Sequence, residues 1–230
     1  MKRFTIVAFA AVLVLAGTGC QIIRPTGAPS GRTPVVFVHG WNGSESTWDE
    51  AVDQFLADGY APGDITVLYY GSSLSAADAA DILADEVDHL LAYTGASKVD
   101  VVSHSFGSMV TRYCVSLGDC AGKVDHWSSL AGADNGTSLA GLCLGVQASC
   151  QDMSGQTSTI ADLQAAWGAI SAQGIEVQVQ WSSGDGVIIP ATNSQNPPPA
   201  VNVEVPGSLG HNDIPADSGV ISTTLAFFAD

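Results

Sequence analysis

The stretch from Lys98 to Leu117, KVDVVSHSFGSMVTRYCVSL, leaves this chain the least freedom. Its first part is a run of β-formers, its second has helical spacing, and a single residue, Ser105, marks the change. A strand that becomes a helix so abruptly must lay that helix back over its own sheet. The chain then returns to where the strand began, and the next strand runs parallel to the first. The rest of the sequence repeats this alternation. PVVFVHG, DITVLYY, KVDHWSSLAG, GIEVQVQW and AVNVEVP read as strands, while 46–58, 75–93 and the closing SGVISTTLAFFAD read as helices. The fold class is therefore α/β, a mostly parallel central sheet with helices on both faces.

Two of the helices carry further signals. In 46–58, Ser46 or Thr47 is a candidate N-cap and Gly59 stands just past the end. In 75–93, positions 76, 80, 83, 87, 90 and 91 form a core stripe. Asp78, Asp81, Asp85 and Asp88 fall on another face, which reads as a solvated surface rather than a metal site. The region Ala131–Ile160 is rich in small residues and has no clear period. It suits a substrate-binding loop and is too short for a large cap domain.

The chain divides into residues 1–19 as a signal peptide, 20–33 as a flexible tether and 34–230 as one catalytic-sized domain. Lys2 and Arg3 precede an apolar run from Ile6 to Ala16, and small residues then lead to Cys20. That run is shorter than the roughly 20 residues of a spanning helix. The stretch Leu15–Cys20 resembles a bacterial lipobox, although Gly17 stands where a larger aliphatic is usual, so Cys20 is a candidate lipid anchor. Export, by secretion or as a membrane-anchored lipoprotein of a bacterium, is the expected fate. Cys114, Cys120, Cys143 and Cys150 then remain, and four cysteines allow three disulfide pairings. The nearest-neighbour choice, Cys114–Cys120 with Cys143–Cys150, closes two short loops. Their spacing matches none of the usual zinc patterns. Composition excludes one class of partner: 7 basic against 23 acidic residues give a formal net charge of −16, the wrong sign for nucleic acid.

The residues around Ser105 carry chemistry. Ser103 and Gly107 are small residues two places either side of it, as a sharp strand-to-helix turn requires. The helix that follows offers its positive end to developing negative charge. The segment Ser103-His104-Ser105-Phe106-Gly107 resembles the nucleophile elbow of α/β-hydrolases, with Ser103 in place of the usual first glycine. His39-Gly40-Trp41-Asn42-Gly43, at the end of the first strand, is similar to the H-G-x-x-G oxyanion motif of the same superfamily. The chain as a whole resembles the small bacterial lipases and esterases, class 2 lipases among them.

That resemblance implies an α/β-hydrolase fold with minimal or no cap and a Ser-His-Asp triad that needs no metal or organic cofactor. Ser105 is the expected nucleophile, and the backbone N–H groups of Trp41 and Phe106 are the expected oxyanion donors. His211, in the glycine-marked loop LGHND before the final helix, is the expected base. Asp185, in SSGDGVI after a strand, is the expected acid, with Asp125 and Asp134 as alternatives. His39 reads as a brace for its loop, His126 as structural and His89 as a residue of the long helix. His104 is read as facing away from the serine. Trp41, Phe106, Met109 and the Leu139–Val146 stretch supply apolar surface suited to an ester or lipid-like substrate. The implied activity is carboxylic-ester hydrolysis by a monomer. Polyester cleavage of the cutinase type and acyl transfer are alternatives on the same triad, and an inactive exported binding protein is the alternative from another class.

Overall fold

The structure, a computed structural model, describes residues 22–71, 73–143, 145 and 147–229. The expected signal peptide and Cys20 lie outside the described residues. The chain runs through β1 (Val35–Val38), α1 (Asp49–Ala57), β2 (Ile65–Leu68), α2 (Ala76–Thr94), β3 (Val99–His104) and α3 (Phe106–Ser116). It continues through β4 (Val124–Leu130), α4 (Ala148–Met153), α5 (Thr159–Ala165), α6 (Trp167–Ala172), β5 (Glu176–Trp181), β6 (Val201–Glu204) and α7 (Ser218–Phe228). The six strands form one parallel sheet in the order β2-β1-β3-β4-β5-β6. The α/β reading holds, and every strand's C-terminal end opens on the same edge.

Strand β1 shows why the sheet is buried on both faces. Val36 and Val38 join the core beneath α2 and α3, while Val35 and Phe37 join a second core beneath α1 and α7. The uninterrupted VVFV run is thus two alternating faces, each covered by helices. Phe37 packs against Trp48 and Phe55, with ring centroids 5.2 and 5.1 Å apart. Truncating such a fully buried ring to alanine costs about 3–5 kcal/mol. Trp48 also explains a shift in the first helix, which was expected over 46–58. Residues Glu45–Trp48 instead make a tight 3-10 turn that drives the Trp48 ring into the core, and neither Ser46 nor Thr47 caps the α-helix that follows.

Helix α2 follows its pattern closely. Ser75 caps it by accepting from the Asp78 N–H, and Gly95 ends it at a φ of +75°. The residues of the core stripe at 76, 80, 83, 87 and 90 are buried, and all four aspartates are exposed. Both disulfides form with the nearest-neighbour pairing, Cys114–Cys120 and Cys143–Cys150. No described helix is long and apolar enough to cross a membrane.

Residues 22–33, the described part of the 20–33 stretch read as a flexible tether, are docked on the domain. Ile23 exchanges two backbone hydrogen bonds with Val67 on the edge strand β2. Arg24 makes a two-pronged pair with Glu86, the Tyr93 hydroxyl donates to the Gly27 carbonyl, and Asp64 accepts from both the backbone and the hydroxyl of Ser30. Proline and glycine rule out regular structure here, but they leave side chains free to fasten an irregular path.

Helices α5 and α6 are absent from the sequence reading, although Ile160, Leu163, Trp167 and Ile170 stand at helical spacing. Arg112 of α3 holds them in place. Its guanidinium donates to the carbonyls of Asp134 and Leu163 and lies 4.9 Å over the Trp167 ring.

Candidate active site

Ser105 sits at the C-terminal end of β3 with φ +56° and ψ −125°, a conformation non-glycine residues seldom adopt. Its backbone is held on several sides: its N–H donates to the Leu130 carbonyl, and its carbonyl accepts from Ser108 and Ala133. The small residues around it have specific reasons. A Cβ on Gly107 would lie 2.4 Å from the carbonyl oxygens of both Val38 and His39, so α3 crosses β1 as closely as backbones permit. A Cβ on Gly40 would lie 2.7 Å from that of Ser105, which brings the loop after β1 directly against the serine.

Ser103 stands where the motif usually has glycine, and its hydroxyl is fully used. It accepts from the Trp127 indole N–H at 2.8 Å and pairs with Ser108 at 2.9 Å. Ser108 in turn meets Ser129, which reaches the buried Asp134 carboxylate. Removing the Ser103 hydroxyl would strand a buried indole N–H, a loss of about 1–3 kcal/mol.

The loop after β1 is braced by His39, as its motif implies. Its Nδ1–H donates to the Gly40 carbonyl at 2.7 Å, its Nε2 faces the Tyr70 N–H, and its ring stacks on Tyr70 at 4.4 Å. Burial lowers its pKa, so the ring is neutral. Trp41 follows Gly40, and its indole N–H donates to the Gln147 side chain. Phe106 is the first residue of α3, so its N–H has no intrahelical acceptor.

His211 and Asp185 meet across two loops. The His211 Nδ1–H donates to Asp185 Oδ2 at 2.7 Å, while Asp185 Oδ1 accepts from the N–H groups of Val187 and Ile188 at 2.7 and 2.9 Å. Burial alone would raise the Asp185 pKa, but the His211 bond and these two N–H groups outweigh it and hold it below the usual carboxylate value. Asp185 therefore stays ionised and fixes the His211 proton on Nδ1, leaving Nε2 free to accept. The alternative acids lie elsewhere. Asp125 pairs with Lys98, and Asp134 faces Ser129, where burial pushes it up to about 6.

Ser105 and His211 line one cleft of about 770 Å³, together with Gly40 and Trp41. Its apolar wall comes from Leu139, Ala140, Leu142, Met153, Val187 and Ile188. Part of the Ala131–Ile160 region, residues within 137–143 together with Met153, thus faces the cleft, and Val187–Ile188 form a part of the wall that sequence reasoning did not assign. Phe106 and Met109, expected to offer apolar surface at the site, are buried in the core instead, because α3 turns those side chains under the sheet. Val146 lies outside the described residues.

His104, read as facing away from the serine, also lines the cleft, with its ring 4.6 Å from that of His211. Burial lowers its pKa to about 3, and the nearby His211 adds to the effect. A stability consequence follows from that shift. Between about pH 6.5 and 3 the unfolded chain binds a proton here that the folded chain does not, so stability falls as the pH is lowered. From pH 7 to 4.5 this group alone should remove about 2–3 kcal/mol. Urea unfolding at both pH values should show His104→Gln losing less stability on acidification than the wild type by about that amount.

At the other end of the sheet, His126 Nδ1 lies 2.8 Å from the buried Asp100. Asp100, Asp125 and His126 bring their ligand-type atoms within 4.8 Å of one another. The hydrogen bond between His126 and Asp100 and the ion pair between Lys98 and Asp125 account for this cluster as structure.

The family Lipase (class 2) matches residues 32–166. This chain belongs to the class 2 lipase family. The matched stretch holds Ser105 and the loop after β1, while Asp185 and His211 lie beyond it. A triacylglycerol lipase of Vibrio cholerae is 30% identical over 139 residues, covering 58% of this chain and 43% of that protein. The chain thus matches less than half the length of that relative. Among solved structures, a mature lipase of Bacillus licheniformis superposes with a TM-score of 0.75 at 16% identity, covering 90% of this chain and 97% of the other. Lipase B of Aspergillus fumigatus gives a TM-score of 0.77 at 16% identity, over 99% and 63%. The α/β-hydrolase fold expected of this class 2 lipase is the fold it has.

Proposed function

We propose that this class 2 lipase hydrolyses carboxylic esters through an acyl-enzyme formed on Ser105. The observation that carries the reading is the His211–Asp185 pair at 2.7 Å, in the cleft that also holds Ser105. His211 Nε2 takes the Ser105 proton as Oγ attacks the ester carbonyl, and Asp185 steadies the imidazolium that results. The backbone N–H groups of Trp41 and Phe106 receive the oxyanion; one such donor is worth about 3–4 kcal/mol at the transition state. His211 then protonates the departing alcohol. In the second half it activates the water that frees the acid.

The apolar wall from Leu139 to Ile188 suits an acyl chain, and the similarity to a triacylglycerol lipase supports a lipid-like ester. The two disulfides are consistent with an exported protein, and Cys20 is the proposed point of membrane attachment. Cys20→Ser should move the protein from the membrane fraction to the soluble one; unchanged fractionation would remove the anchor. A fluorophosphonate ester tests the nucleophile. Peptide mass mapping should find the adduct on Ser105, and an adduct elsewhere, or none, would reject the assignment.

A further inference from the structure

We infer that His104 is a positioning residue that holds His211 against the strand bearing the nucleophile. The inference rests on the reading of His211 as the base. The His104 Nε2 lies 3.1 Å from the backbone carbonyl of His211. A carbonyl only accepts, so the proton of His104 is on Nε2 and that N–H donates. The two rings face each other at 4.6 Å with a tilt of 41°. His104 is buried to 5% exposure, and its other nitrogen faces the loop after β1, since a Cβ on Gly40 would lie 3.2 Å from its Nδ1. Burial keeps the ring neutral, so no second positive charge competes with the imidazolium that forms on His211.

The sheet order explains why such a tie matters. His211 stands on the loop between β6 and α7, and several fastenings of that region go to β5 and the turn after it. Val205 donates to Trp181, the Ser182 hydroxyl donates to the Leu209 carbonyl, and Asp185 holds the His211 ring. Ser105 is on β3, and β4 lies between β3 and β5. Those hydrogen bonds relate the base to the nucleophile only across an intervening strand. His104 spans it directly, because it is the residue just before the serine and bonds the residue that carries the base. A displacement of about 1 Å between reacting groups can cost about a hundredfold in rate.

A histidine that merely fills space would affect stability and leave the chemical step alone. The test therefore compares His104→Gln with His104→Asn and His104→Leu in the full chain, using p-nitrophenyl butyrate well below each melting temperature. The Gln amide nitrogen occupies the place of Nε2, whereas Asn is too short to reach the His211 carbonyl and Leu has no donor. Leu and Asn should lower kcat by about ten- to a hundredfold with KM within about twofold, and Gln should stay within about threefold of the wild type. Asn against Gln carries the comparison if the Leu variant does not fold. The inference is overturned if Asn and Leu keep the wild-type kcat, or if Gln falls as far as Asn. Ser105→Ala in the same assay separates the two claims. A rate equal to the wild type there would remove the proposed function itself, whereas an inactive Ser105→Ala beside an unaffected His104→Asn would remove only the role of His104.

Discussion

Asp185→Asn should lower kcat by about ten-thousandfold while leaving the fold and the cleft intact. The reason lies in how the carboxylate is already held. Oδ1 accepts from the N–H groups of Val187 and Ile188, and Oδ2 accepts from His211. An asparagine must keep its oxygen on those two N–H groups, so its NH2 turns toward His211. Two donors then face each other unless the imidazole moves its proton to Nε2. In that tautomer Nε2 cannot accept from Ser105, and the base is lost although every atom is in place. Steady-state kinetics with p-nitrophenyl butyrate check the size of the effect, and circular dichroism checks that the fold persists. A loss of less than about tenfold would mean that Asp185 does not set the tautomer.

Gly107→Ala should cost about 3 kcal/mol or more and reduce activity with it. The added methyl would meet the backbone carbonyl oxygens of Val38, at the end of β1, and His39, just after it, both at 2.4 Å, and neither can swing aside as a side chain would. Relief requires α3 to lift from β1, which displaces Ser105 from the Gly40–Trp41 loop. Gly168→Ala is the matched control: Gly168 lies within α6 with nothing within 4 Å of the new methyl, so the change should be neutral or slightly stabilising. Urea unfolding of the two variants measures the contrast. Equal stabilities would show that the close crossing at Gly107 is not a constraint.

The parts of this molecule that were legible in the sequence depend on local chemistry. The serine at a strand-to-helix junction, the glycine-marked loops of His39 and His211, and the turn holding Asp185 each show in a handful of consecutive residues. All stand at or after the C-terminal ends of strands, and a parallel sheet gathers those ends on one edge. What escaped depends on contacts between distant segments. The 22–33 segment looks unstructured because its hydrogen bonds go to Val67, Pro62, Asp64 and Glu86, none near it in sequence. The contact of His104 with His211 was not legible because the β3 sequence describes the strand but not the loop that arrives over it from residue 211. Helices α5 and α6 are too short for their period to stand out and rely on Arg112 for anchorage. The Ser103 departure from glycine is explained only by Trp127 and Ser108, which complete its hydrogen bonds.

The direct test of the central claim is the rate of p-nitrophenyl butyrate hydrolysis by the wild type and by Ser105→Ala, purified identically. If Ser105 forms the acyl-enzyme, the wild type turns the ester over and the variant falls by about ten-thousandfold or more, toward the uncatalysed rate. Equal rates in the two proteins would contradict the account.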